Sequence, residues 1–157
     1  LPSTVTLRIL DAFPTGSPLE NRIRRLGLGD RLRFSGKVSS QDLDRAYRQA
    51  AAVILPSLFE GFGLPAVEGL AVGTPVVATT AGALAEVIAE AGAGTLVAPR
   101  DAAALAGAIQ NVLDHWDQEH LRALQARERI EQQFAWSRIA RKTSEIYRGL
   151  LESRASD

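Results

Sequence analysis

Apolar residues recur along the chain in short blocks that alternate between two periods. Val5–Leu10, Leu32–Ser35, Ala52–Leu55, Pro75–Thr79 and Thr95–Val97 are brief, largely apolar runs rich in β-branched residues, and each predicts a strand. Between them lie stretches with one-face helical spacing. The first, Leu19–Leu26, is stopped by Gly27 after a turn-rich segment at Asp11–Pro18. The second carries Leu43, Ala46, Tyr47 and Ala50 behind a Ser39-x-x-Asp42 capping signal. Further helices are predicted at Leu64–Val72, stopped by Gly73, at Leu84–Ala89, and behind the N-cap Asp101 with Leu105, Ala108, Ile109 and Val112 on one face. Two more helices close the chain. The last of them aligns Trp136, Ile139, Ala140, Thr143, Tyr147, Leu150 and Leu151 along one stripe.

Strands that are apolar throughout, alternating with helices, predict a parallel sheet covered on both faces: a Rossmann-like, doubly wound α/β fold ending in two or more helices. Such sheets bind ligands beyond the carboxyl ends of their strands, where turns lead into helices. The turn after Ala52–Leu55 therefore draws attention. Its sequence, LFEGFGLPAVEGLAVGTPVV at 58–77, sets Glu60 and Glu68 around Gly61, Phe62 and Gly63.

Glycine lets a ligand approach backbone N–H groups closely, and Pro65 suits a first helical turn. The amides near Gly63 and Leu64 then form an anion site at a helix start. Taken singly, these features are bland. A Gly-x-Gly connects strand to helix in many folds, and a glutamate placed in the first turn, as Glu68 is expected to be, offsets the helix dipole. Together they ask for a ligand with both anionic and hydroxyl groups, because carboxylates only accept hydrogen bonds. A nucleotide sugar has a diphosphate for the amides and alcohols for the acids.

Charge sharpens this picture. The chain has 18 basic and 18 acidic residues, which argues against a basic-patch nucleic-acid binder. Residues 58–117 contain Arg100 alone against seven acids, so the glycine-acid turn lies in an anionic segment. Arginines 22, 24, 25, 31 and 33 form a basic cluster, read as a solvated face with contact to anionic lipid or phosphate as the alternative. With no cysteine, disulfides and thiolate metal sites are excluded. His115, Glu119 and His120 fall in DHWDQEH, read as a polar linker between helices whose histidines are solvated rather than metal-bound. Phe134 and Trp136 read as packing anchors for the last helix. No run of about 20 apolar residues suggests a membrane span.

The sequence resembles the C-terminal, donor-binding domain of GT-B retaining glycosyltransferases, the glycosyl transferases group 1 family. FSGKV at 34–38, PSLFEGFGLPAVEGLAVGTPVVA at 56–78, AEV at 85–87, GTLVAPRD at 94–101 and FAW at 134–136 carry the resemblance. It implies transfer of a hexose from a nucleotide-diphospho-sugar to an unidentified acceptor with net retention, without an obligatory metal or other cofactor. Glu68 is implied to bind the ribose hydroxyls, and Glu60 to stabilise positive charge at the anomeric carbon as the catalytic carboxylate. Phe62, Gly63 and Leu64 are implied to offer backbone contacts to sugar and diphosphate. Leu64 and Pro65 otherwise read as packing and turn residues. Gly36, Lys37 and Val38 are implied to lie against the nucleobase.

The resemblance also has departures. Gly69 stands where relatives often have alanine, a mild loosening of the helix costing up to ~1 kcal/mol. Asp11 stands near a glycine turn of the family. The Arg and Lys that relatives direct at the diphosphate belong to a segment not represented before Val5. The abrupt opening without methionine reads as a fragment. Residues 1–133 are then a partial nucleotide-sugar-binding domain lacking its first strand-helix unit, and 134–157 a helix packing on an absent N-terminal domain of the same chain. The expected location is cytoplasmic, with peripheral contact at the inner face of a membrane as an option. Rival readings are a non-catalytic nucleotide-sugar-binding or assembly module, and a nucleotide-sugar epimerase of the same architecture.

Overall fold

The computed structural model describes residues 1–12 and 15–155. The Phe13–Pro14 part of the expected first turn, and Ser156–Asp157 at the end of the last segment, lie outside the described residues. The elements in order are β1 (Leu7–Ile9), α1 (Pro18–Arg25), a 3-10 turn (Gly29–Arg31), β2 (Leu32–Phe34), α2 (Ser40–Gln49), β3 (Val53–Leu55), α3 (Leu64–Ala71), β4 (Val76–Thr79), α4 (Leu84–Ala91), β5 (Thr95–Val97), α5 (Ala102–Asp114), α6 (Trp116–Phe134) and α7 (Trp136–Ala155). Every segment predicted from periodicity is present, displaced by at most a residue or two at its ends. Hydrogen-bonded ladders form two parallel sheets, β1-β2 and β3-β4-β5. The chain divides into two compact units, Leu1–Ala46 and Tyr47–Asp157.

In the smaller unit β1 pairs with β2 in register Leu7↔Leu32 through Ile9↔Phe34. Ser17 caps α1 by accepting the Glu20 amide at 3.2 Å, and Glu20 in turn accepts the Gly16 amide at 2.7 Å. That backbone bond, with the Arg24 guanidinium beside it, holds the Glu20 carboxyl below its usual range. Of the arginine cluster, Arg22, Arg24, Arg25 and Arg33 are exposed, as a solvated face requires, and Arg31 is half-buried. Arg31 donates to the carbonyls of Val5 at 3.1 Å and Pro2 at 2.8 Å, and Arg24 pairs with Glu20. A guanidinium has several fixed donors, so it satisfies chain carbonyls that lack a strand partner. At α2, Ser39 accepts the Asp42 amide at 3.2 Å as its spacing predicts, while its own hydroxyl goes to the Asp42 carboxylate at 2.7 Å.

In the larger unit β4 is the central strand, paired in parallel with β3 and β5 and buried at all four positions. Alternate side chains of a strand face opposite ways. Val76 and Ala78 join a core with Ala66 and Leu70 of α3, Leu84, Val87, Ile88 and Ala91 of α4, and Ala123, Ala126 and Ile130 of α6. Val77 and Thr79 therefore face the other side of the sheet, where α5 packs on β4 and β5 with Val112 buried. Burial on both faces explains why β4 reads as an uninterrupted apolar run. Asp101 caps α5 by accepting the Ala104 amide at 2.8 Å.

Helix α6 corrects the polar-linker reading of DHWDQEH. The helix begins at Trp116, so Glu119 and His120 are helical. His120 Nδ1 donates to the Gly73 carbonyl at 2.7 Å, and its ring stacks on Trp116 at 4.6 Å between centroids. His120 thus satisfies a carbonyl in the α3–β4 turn and is not a solvated surface residue. Glu119 is buried and takes the Arg122 guanidinium at 2.9 Å. Phe134 packs against the core as expected, but Trp136 is 82% exposed and is not the packing anchor its sequence suggests. Ile146, Tyr147, Leu150 and Leu151 of α7 are exposed as well. Among the described residues no helix is long and apolar enough to cross a membrane.

Candidate functional site

The connection from β3 to α3 leaves the carboxyl end of the β3-β4-β5 sheet and carries the glycine-acid motif. Two strands and a turn hold it. Thr79, buried at the end of β4, donates its hydroxyl to the Ser57 carbonyl at 2.7 Å. Ser57 donates its own hydroxyl to Glu60 Oε2 at 3.2 Å. The turn after β4 adds a third tie, because the Ala83 amide donates to the Glu60 carbonyl at 3.1 Å. Glu60 is thus fixed through its backbone and one carboxylate oxygen, and it is half-buried.

Gly63 is the N-cap of α3, in the left-handed region at φ 94°. A Cβ there would stand 2.6 Å from Leu84 Cδ2 and 3.6 Å from Glu60 Cγ, so both the backbone angle and the space require glycine. No side chain caps this helix start, and its first turn contains no acid. The first amides of a helix lack intrahelical partners and carry partial positive charge, which suits an anionic ligand. Pro65, in the first turn, sacrifices no needed bond there. Phe62 turns its ring edge-on to Phe134 at 5.6 Å. The Leu64 side chain is 57% exposed, so the packing role expected for it is not what the fold uses.

Glu68 is in the second turn of α3, not the first. The dipole effect fades within the first turn, so countering it explains this carboxylate poorly. Glu68 shares an exposed stripe with Leu64, four residues earlier, and helical side chains lean towards the N-terminus. The Glu68 Cα–Cβ bond is therefore tilted towards the end where Gly63 and Leu64 lie. Its Oε2 accepts the Tyr47 hydroxyl at 2.8 Å. Burial, then the hydrogen bond and charge of Glu68, push the Tyr47 phenol above its ordinary range.

The fold thus gathers Glu60, Phe62, Gly63, Leu64 and Glu68 in one strand-to-helix connection and the helix it opens. Gly36, Lys37 and Val38 lie on the β2–α2 loop of the other compact unit, at the carboxyl end of its own sheet. Gly36 has φ 62° and donates its amide to the Asp11 carbonyl at 3.0 Å, Lys37 is exposed, and Val38 is half-buried. His115, Glu119 and His120 are engaged elsewhere or exposed, and no group fit to hold a metal is found among the described residues. Sequence reasoning missed Ser57, Thr79 and Tyr47. The Ser57-x-x-Glu60 spacing resembles a capping pair and was a usable signal for the first. Tyr47 read as one more position on an apolar helix face.

This α/β fold with parallel sheets is that of the GT-B glycosyltransferases. It superimposes with TM-score 0.82 and 34% identity on sucrose-phosphate synthase from Thermosynechococcus elongatus, over 94% of this chain and 39% of that one. It superimposes with TM-score 0.83 and 27% identity on Anabaena Alr3699/HepE in complex with UDP-glucose, over 94% of this chain and 42% of that one. The chain belongs to the glycosyl transferases group 1 family, whose model matches residues 3–131. Among curated relatives, it is 36% identical to the MMP alpha-(1->4)-mannosyltransferase of Mycolicibacterium hassiacum, over 91% of this chain and 35% of that protein. It is 39% identical to the glycogen synthase of Mycobacterium tuberculosis, over 73% of this chain and 28% of that protein. The chain therefore spans about a third of the length of the curated relatives it matches.

Proposed function

We propose that this chain is the donor-binding part of a retaining hexosyltransferase that uses a nucleotide-diphospho-sugar. The observation that carries the reading is the uncapped start of α3, with Glu60 fixed just before it and Glu68 one turn inside it. The α3 amides hold the diphosphate, Glu68 accepts hydrogen bonds from the ribose, and Glu60 lies by the anomeric carbon. There its negative charge stabilises the positive charge that builds as the leaving group departs, an electrostatic contribution of the kind that often dominates such barriers. The UDP and UDP-glucose complexes of Alr3699/HepE support the choice of donor class.

With Arg100 the one cation between residues 58 and 117, this segment brings little positive charge to a diphosphate. Backbone amides and groups outside that segment share the work, and no metal is required. The test is calorimetric titration of the full-length protein with UDP, GDP and ADP, repeated with Glu68→Ala. We expect the substitution to weaken the best of these by roughly 10-fold or more, the scale of hydrogen bonds to a charged group. Affinity indifferent to Glu68→Ala removes the ribose role. Retention is checked separately, from the anomeric configuration of the product by NMR, and an inverted product refutes it. Activity abolished by EDTA and restored by a divalent cation overturns the metal-free reading.

A further inference from the structure

We infer that Tyr47 is the positioning residue of the nucleotide site, holding one oxygen of Glu68 so that the other is presented to the ribose diol. This rests on the reading of Glu68 as the ribose ligand. Tyr47 stands in the last turn of α2, half-buried, and is tied at both ends to the segment containing α3. Its hydroxyl donates to Glu68 Oε2 at 2.8 Å. Its carbonyl accepts the Thr74 hydroxyl at 2.8 Å. Thr74 is 3% exposed in the turn after α3, where its amide donates to the Gly69 carbonyl at 2.9 Å. The phenol is therefore placed by the turn that ends the helix carrying its target.

An exposed glutamate without such a partner samples several rotamers and loses that freedom when a ligand binds. A charge-assisted O–H···O⁻ bond fixes the rotamer beforehand. Glu68 keeps Oε1 without a hydrogen bond among the described residues, and each carboxylate oxygen has two lone pairs. A vicinal diol, with two donors, matches what is left. The raised ionisation range of the phenol keeps its proton in place at neutral pH, so it remains a donor there. An ordinary role in packing Tyr47 beside α3 needs the ring and not the hydroxyl.

The experiment uses the full-length protein and whichever of UDP, GDP and ADP binds most tightly, beside its 2′,3′-dideoxy counterpart. The readout is the ratio of the two affinities. Glu68→Ala is expected to bring that ratio close to one. Tyr47→Phe keeps the ring and is expected to lower the ratio by about fivefold, the scale of one preorganising hydrogen bond to a charge. The affinity for the dideoxy ligand stays as it was. In the Glu68→Ala background Tyr47→Phe adds nothing, as two groups acting through one contact require. A ratio that falls with Glu68→Ala but not with Tyr47→Phe overturns the role of Tyr47 and leaves the ribose reading standing. A ratio unmoved by Glu68→Ala, or no binding by any of the three, removes the ribose reading and this inference with it.

Discussion

At the scale of single residues, the site depends on one backbone angle and one phenol. Gly63→Ala forces a side chain into the left-handed region and against Leu84 Cδ2. We expect a loss of about 2 kcal/mol in stability, combining backbone strain with local overpacking. Nucleoside diphosphate affinity should fall too, because the amides of the helix start move. Urea unfolding and calorimetry check both, and unchanged affinity in the variant would show that this helix start does not bind the anion. Tyr47 gives a spectroscopic prediction. Its folded-state pKa is raised above the ordinary 10.0, so its stabilising contribution is complete below that value and is lost as pH rises through the shifted one. Absorbance titration at alkaline pH should show one of the two tyrosines ionising late, and Tyr47→Phe should delete that step.

At the scale of elements, the decisive contact is α3 lying on β3 and β4. Gly69 reads in sequence as a weak point of the helix. In the structure it is a close approach: a Cβ there would stand 2.9 Å from Val53 Cγ2 and 3.3 Å from Val76 Cγ2. Two effects of Gly69→Ala compete. Helix propensity favours alanine by up to ~1 kcal/mol, while overpacking a fitted interface costs roughly 1–3 kcal/mol. The second should win, because the atoms met are strand methyls on short side chains. We expect net destabilisation of about 1 kcal/mol in urea unfolding. An increase in stability would show that the strands yield. The histidine in α6 follows the same logic, since His120 serves the turn after α3 rather than solvent or metal.

At the scale of the whole molecule, the chain is about a third of the length of its curated relatives. It contains the glycine-acid site but has one cation in the segment around it. We expect the purified 157-residue chain to bind donor weakly and to transfer no sugar, and the full-length protein to bind donor and to transfer sugar. A radiolabelled donor assay on the two forms checks this, and transfer by the short chain alone would refute it. Full-length protein that binds the donor and never transfers it would instead favour the non-catalytic module.

The order of the strands and α-helices was legible in the sequence, because strands buried on both faces and helices buried on one have different periods, whereas the Gly29–Arg31 turn and the start of α6 inside DHWDQEH were not. The glycine-acid turn and its place beyond a strand were legible too, since Gly, Pro and acids leave local signatures. Tertiary structure alone decided what each side chain met. Nothing local tells Tyr47 that its hydroxyl reaches a glutamate 21 residues on, or His120 that it reaches a carbonyl 47 residues back. Nor does periodicity reveal whether an apolar stripe such as that of α7 is covered. Backbone conformation answers to neighbours in the chain, whereas hydrogen-bond partners and burial answer to neighbours in space.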